Sequence, residues 1–206
     1  MPVTPSVFCA VKIGMLSNRG VIEAVADGLK RHDAKTIVLD PVMVATSGDR
    51  LLKDDAIAAL RDELFHLALV ITPNLSEAAA LTGASIAQNE RDMQVQARHL
   101  LTAGAQNVLI KGGHGEGTES VDILVGQRLD AVFRFSAPRV ATKNTHGSGC
   151  TLSSAIAAGL AKGVDLINAV QGAKDYVSLA IAAANDIQIG HGHGPLHHFH
   201  ASWRKP

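Results

Sequence analysis

The sequence predicts an α/β fold: a mainly parallel sheet with helices on both faces and an antiparallel hairpin at one edge. Two observations carry this. Short β-rich runs alternate with longer helical patterns through the first half of the chain, which means βαβ units and a parallel sheet covered on both sides. Beyond Ile110 the alternation stops, and two strand-like runs flank Gly126-Gln127-Arg128, which reads as a hairpin.

Ala10-Val11-Lys12-Ile13-Gly14 reads as the first strand, followed by a helix over residues 20–32. Thr36-Ile37-Val38-Leu39 is a second strand and residues 55–64 a second helix. Ala68-Leu69-Val70-Ile71 is a third strand, and a short helix over 76–81 is ended by Gly83. Residues 90–103 place Met93, Ala97, Leu100 and Leu101 on one face, with Asn89 as N-cap and Gly104 past the end. Asn107-Val108-Leu109-Ile110 is the fourth strand, and residues 121–125 and 131–135 form the hairpin. Two Ala-rich helices follow over 150–161 and 165–185. No repeat and no linker divides the chain, so a single domain over residues 1–206 is expected.

Composition narrows the function classes. A chain of 206 residues can bury a sizeable core, and 47% hydrophobic with 18% charged residues is ordinary for a globular enzyme. The 19 basic and 19 acidic residues are spread along the chain. That argues against a nucleic-acid or anionic-membrane surface, which needs clustered Lys and Arg. Two cysteines, Cys9 and Cys150, make no disulfide framework. The N-terminus lacks the regions of a signal peptide, and no apolar run approaches the ~18 residues of a membrane span. A cytoplasmic location is expected.

The positions of the polar residues are informative. Gly14-Met15 follows the first strand, Asp40-Pro41-Val42-Met43 the second, and Thr72-Pro73-Asn74 the third, with Glu77 one helical turn in. Lys111-Gly112-Gly113-His114 follows the fourth. In open α/β sheets ligands bind outside the carboxyl ends of the strands. Asp40, Thr72, Asn74, Glu77 and Lys111 should therefore line one rim, although Asp-Pro and Pro-Asn taken singly are common turn pieces.

A second constellation is Thr142-Lys143-Asn144-Thr145-His146-Gly147-Ser148-Gly149-Cys150, which opens into an apolar helix. Glycines before a helix let backbone N–H groups turn toward one point, and the helix N-terminus adds partial positive charge. Such a turn suits a transferring phosphoryl group. The competing reading is a Gly-rich entry to a buried helix with Cys150 packed among Ala and Leu. The chain has no G-x-x-x-x-G-K-[ST], no G-x-G-x-x-G after a strand, no H-E-x-x-H and no G-x-S-x-G. A phosphate site here is of the non-Walker kind.

The motifs Lys12-Ile13-Gly14-Met15, Asp40-Pro41-Val42-Met43 with Ser47-Gly48-Asp49, Ile71-Thr72-Pro73-Asn74-Leu75-x-Glu77-Ala78 and Ile110-Lys111-Gly112-Gly113-His114 occur in this order. So do Thr142-Lys143-Asn144-Thr145-His146-Gly147-Ser148-Gly149-Cys150-Thr151-Leu152-Ser153 and the closing Gly192-His193-Gly194-Pro195-Leu196-x-His198-Phe199. From near residue 10 to its end the chain resembles the hydroxymethylpyrimidine/phosphomethylpyrimidine kinases of thiamine synthesis.

The resemblance implies a ribokinase-like three-layer fold and ATP- and Mg2+-dependent phosphorylation of 4-amino-5-hydroxymethyl-2-methylpyrimidine and its monophosphate. It implies that Gly147, Ser148 and Gly149 hold the transferring phosphate, and that Cys150 is the base or positions the substrate hydroxyl. Lys111 would neutralise ATP phosphates, with Thr72, Asn74, Lys143 and Thr145 on the nucleotide. Asp40 and Glu77 would act on Mg2+ through waters, since that ion keeps several. Met15 and Val42 would line the pyrimidine pocket, and a homodimer is implied.

Family members begin with a strand and a Gly-rich loop carrying an Asp, then a segment with a Gln that reads the pyrimidine. This chain starts with Met1-Pro2-Val3-Thr4-Pro5-Ser6-Val7, almost at the Lys-Ile-Gly-Met strand. The expectation is that the first strands and much of the substrate half of the site are missing. A catalytically inactive nucleotide-binding fragment is therefore one alternative. A pyridoxal or pyridoxine kinase of the same fold is another. The tail from Gly190 to His200 has five His within its last ten residues and invites a metal reading, but most of its pattern is the family's ending.

Overall fold

The computed structural model describes residues 9–43, 52–113, 117–189 and 191–203. Residues 1–7, the Ser47-Gly48-Asp49 run, His114 and Gly190 lie outside them.

Six strands form one sheet in the order of the chain: β1 (Val11–Ile13), β2 (Ile37–Leu39), β3 (Val70–Ile71), β4 (Asn107–Lys111), β5 (Glu119–Gly126) and β6 (Phe133–Pro138). The first four are parallel, and β5 and β6 run antiparallel beside β4. Strand residues alternate between the two faces. Ile13, Leu39, Ile71 and Ile110 join one core, which α1 (Arg19–Arg31), α2 (Asp54–Leu64), α3 (Leu75–Thr82) and α4 (Glu90–Thr102) close. Val38, Val70, Leu109 and Leu124 join a second core on the other face, under α5 (Ser148–Ala161) and α6 (Leu166–Ala182). A single turn of 3₁₀ helix, Ala183–Asp186, follows α6. Three layers result because β2 and β3 are apolar at every position and must be covered twice.

Local chemistry sets the helix ends. Asn18, Asn89 and Asp165 each accept a first-turn backbone N–H at the starts of α1, α4 and α6. Gly83 ends α3 at φ +69°, a conformation glycine adopts without a Cβ penalty.

Two expectations need adjusting. The β5–β6 connection spans residues 127–132, where the strand bounds read from the sequence leave 126–130. Gly126 belongs to β5 and packs so closely on Asn107 and Leu129 that any side chain there would overlap them. Helix α5 begins at Ser148, two residues earlier than expected, because Gly147 takes the left-handed conformation at its N-cap.

Candidate active site

Period-two alternation assembles the site. Lys12 lies opposite Val38 in the β1–β2 register, so both face the second core. Two residues beyond Val38, Val70 and Leu109 stand Asp40, Thr72 and Lys111, on that same face and at the carboxyl ends of their strands. The four side chains form a polar layer between the second core and the start of α5.

Asp40 is the centre of this layer and is 1% exposed. Lys111 Nζ lies 2.6 Å from its Oδ1, to which Thr72 Oγ1 also donates at 3.2 Å. Ser153 of α5 donates to Oδ2 at 3.0 Å, and Lys12 Nζ stands 4.0 Å from the same oxygen. A buried carboxylate is tolerable only with such partners, since water no longer solvates it. Two ammonium groups against one carboxylate leave positive charge for an incoming anion.

Asn74 and Glu77 form a reciprocal cap at the start of α3. Asn74 Oδ1 accepts the Glu77 N–H at 2.9 Å, and Glu77 Oε2 accepts the Asn74 N–H at 2.7 Å. The Lys111 N–H donates to Pro73 O at 2.9 Å, which ties this cap to the end of β4. Glu77 is buried, and its pKa is raised above the ordinary 4.5 by that burial, against the opposing pull of Lys111 and the Asn74 N–H. A carboxyl with a raised folded pKa binds more protons folded than unfolded just above its ordinary range. Stability should therefore fall as pH rises from 4.5 through that window. Glu77→Gln keeps an acceptor for Asn74 and removes the titration. Urea midpoints measured against pH should show the variant gaining on the wild type as pH rises, and parallel curves would contradict this.

Gly147, at φ +84°, caps α5, and the Thr151 N–H and hydroxyl both bond to its carbonyl. Ser148 N–H is turned back to Thr145 O at 3.2 Å. Gly149 and Cys150 lie inside the first turn, where N–H groups have no intrahelical acceptor and the helix end is positive. A Cβ on Gly149 would lie 3.3 Å from Lys111 Nζ, so the lysine reaches this turn past a glycine. Cys150 is exposed, not packed among Ala and Leu, and opens on a groove of about 750 Å³ with Thr151, Ser154, Lys162, Tyr176 and His198.

The loop entering α5 is fastened from behind. Asn144 Nδ2 donates to Ala184 O at 2.6 Å and Ile187 O at 2.8 Å, and the His146 N–H donates to Gly194 O. Lys143 is exposed and lines a smaller hollow of about 260 Å³ with Gln188, His191 and Gly194, while Thr145 is half-buried in the turn. Met15 is 57% exposed and Val42 half-buried. The structure thus gathers Asp40, Thr72, Lys111 and Gly149 at one point, with Asn74 and Glu77 adjoining through β4. It sets Lys143 against the tail. Lys12 and Ser153 belong to the layer although motif reading passed over them. The signal for Lys12 was a lysine inside an apolar strand at the parity of Asp40, and for Ser153 a hydroxyl one turn after Gly149.

Among the described residues no three His, Cys, Asp or Glu side chains group to hold a metal, the histidines of the tail included. Asp40 and Glu77 are buried with oxygens engaged by protein partners, so they fit Mg2+ only at one remove, through the waters that ion keeps. Among the described residues no helix is long and apolar enough to cross a membrane.

The sequence pattern of the Phosphomethylpyrimidine kinase family matches residues 6–197. The hydroxymethylpyrimidine/phosphomethylpyrimidine kinase of Rhizobium meliloti (strain 1021) is 56% identical over 195 residues, 95% of this chain and 72% of that one. The pyridoxal kinase from Staphylococcus aureus in complex with AMP-PCP is similar in structure, with a TM-score of 0.85 at 31% identity over 94% of this chain and 68% of that one. The phosphomethylpyrimidine kinase from Clostridium difficile 630 gives a TM-score of 0.69 at 41% identity, over 84% and 68% of the two chains. With its ribokinase-like sheet and a match along nearly its whole length, this chain belongs to the phosphomethylpyrimidine kinase family.

Proposed function

We propose that the chain transfers the γ-phosphoryl group of ATP, with Mg2+, to the hydroxymethyl group of 4-amino-5-hydroxymethyl-2-methylpyrimidine and then to the resulting monophosphate, in thiamine diphosphate synthesis. The observation that supports this most is the meeting of the Lys111 ammonium with the first turn of α5. Phosphoryl transfer needs little covalent help from a protein, but it needs fixed positive groups where charge builds on the phosphate oxygens. Lys111 and the first-turn N–H groups of Gly149 and Cys150 supply them, presented by the Gly147-Ser148 turn.

In the first transfer the hydroxymethyl oxygen attacks the γ-phosphorus, the bond to the ADP oxygen breaks, and the hydroxyl proton leaves; in the second a phosphate oxygen of the monophosphate is the attacking atom. Cys150 stands beside the turn to take or orient that proton. Asn74, Lys143 and Thr145 contact the nucleotide, Thr72 is 0% exposed and orders Asp40 behind it, and Met15 and Val42 line the pyrimidine side. Mg2+ would supply charge neutralisation on the phosphates, held through waters by Asp40 and Glu77, whose direct faces already carry protein partners. The working form is a cytoplasmic homodimer.

The likeness to a pyridoxal kinase favours one second reading, pyridoxal as acceptor. An ADP-release assay with hydroxymethylpyrimidine, its monophosphate and pyridoxal separates the two. Both pyrimidines should show a higher kcat/KM than pyridoxal. The reverse order would replace the reading, and no ADP release with any acceptor would overturn it.

A further inference from the structure

A second buried ion pair lies outside the polar layer. Asp122 on β5 and Lys174 on α6 are 3% and 5% exposed, and Lys174 Nζ lies 2.8 Å from Asp122 Oδ2. Lys174 also donates to Ser120 Oγ at 3.0 Å. The other carboxylate oxygen, Oδ1, accepts the Gly112 N–H at 3.0 Å. Asp122 is the register partner of Lys111 in the β4–β5 ladder, and Gly112 is the first residue past the end of β4. Any side chain on Gly112 would overlap the Val121 carbonyl, so the chain turns there against β5 backbone. One residue on, Arg139 donates to Gly113 O at 2.5 Å.

Burying both ions is expensive, and apolar residues of similar volume often serve stability as well or better. What apolar residues cannot supply is an acceptor for the Gly112 amide where β4 stops pairing. We propose that Asp122, oriented by Lys174, is a positioning residue. It fixes the backbone leaving Lys111 and so holds the Lys111 ammonium between Asp40 and the first turn of α5. This inference rests on the functional reading above, in which Lys111 meets the ATP phosphates.

Asp122→Leu/Lys174→Met removes both charges together, so no unpaired ion is buried, and removes the acceptor for Gly112. Asp122→Asn/Lys174→Met removes the same charges but keeps a side-chain oxygen for that amide. Both pairs are placed in the wild-type chain and in Asp40→Leu/Lys111→Met, which lacks Lys111 without burying an unpaired ion. ADP affinity by calorimetry and kcat with hydroxymethylpyrimidine are then measured on each. The first pair should cost about 10²-fold in the wild-type chain, the scale of a misplaced catalytic group. It should cost less than about threefold once Lys111 is gone, because residues acting through one another are not additive. The second pair should stay within about threefold of wild type, as rescue by a retained acceptor requires. Equal cost in both backgrounds means packing only and overturns the proposal, as does a first pair with wild-type values. Should the first pair fail to fold, Asp122→Ser/Lys174→Met, too short to reach Gly112, takes its place. ADP binding without pyrimidine phosphorylation in the wild-type chain would sink the functional reading alone, and the ADP cycle would still decide the role of Asp122.

Discussion

Asp40→Leu should destabilise the chain by about 3–5 kcal/mol, the usual cost of removing one partner of a buried pair. The loss is large because it strands Lys111, which is mostly buried, and leaves Thr72 and Ser153 without their shared acceptor. Asp40→Leu/Lys111→Met should recover most of that stability, since no charge is then unpaired between β2 and β4. It should not recover activity, because the cation beside Gly149 is gone. Urea denaturation of both variants, with ADP release alongside, checks this. A single variant as stable as wild type would mean that the Asp40–Lys111 contact carries little, and an active double variant would remove Lys111 from the chemistry.

Cys150→Ala should lower kcat by about 10²-fold, within the range for a positioned acid–base group. Cys150 is exposed at the first turn of α5, beside the glycine that Lys111 approaches, and it borders the larger groove. Its exposure also means that alanine leaves no core cavity, so stability should hold and the KM for ATP should change little. A variant with wild-type kcat would leave Cys150 as a bystander on the groove wall.

The sheet and the rim were legible in the sequence because each parallel strand is an apolar run ended by a polar residue. Asp40, Thr72 and Lys111 sit where an open parallel sheet exposes its strand ends, so position alone grouped them. Pairings of long range were not legible. Asp122 and Lys174 are 52 residues apart on a strand and a helix, and Ser153 reaches Asp40 across 113 residues. No local spacing reports such contacts, which exist only once α5 and α6 close the second core. The start of α5 was misplaced for a local reason, since a glycine with positive φ can cap a helix as readily as precede it. The end of β5 was hidden in tertiary packing, because Gly126 is set by the side chains of Asn107 and Leu129.

We propose that phosphate is handled where Lys111 meets the N-terminus of α5. A crystal structure of the chain with ADP tests it most directly. The terminal phosphate should lie against the Gly149 and Cys150 N–H groups, within ion-pair distance of Lys111 Nζ. Phosphates bound at the opposite edge of the sheet, or in the hollow beside Lys143 and Gly194 with Lys111 untouched, would contradict it.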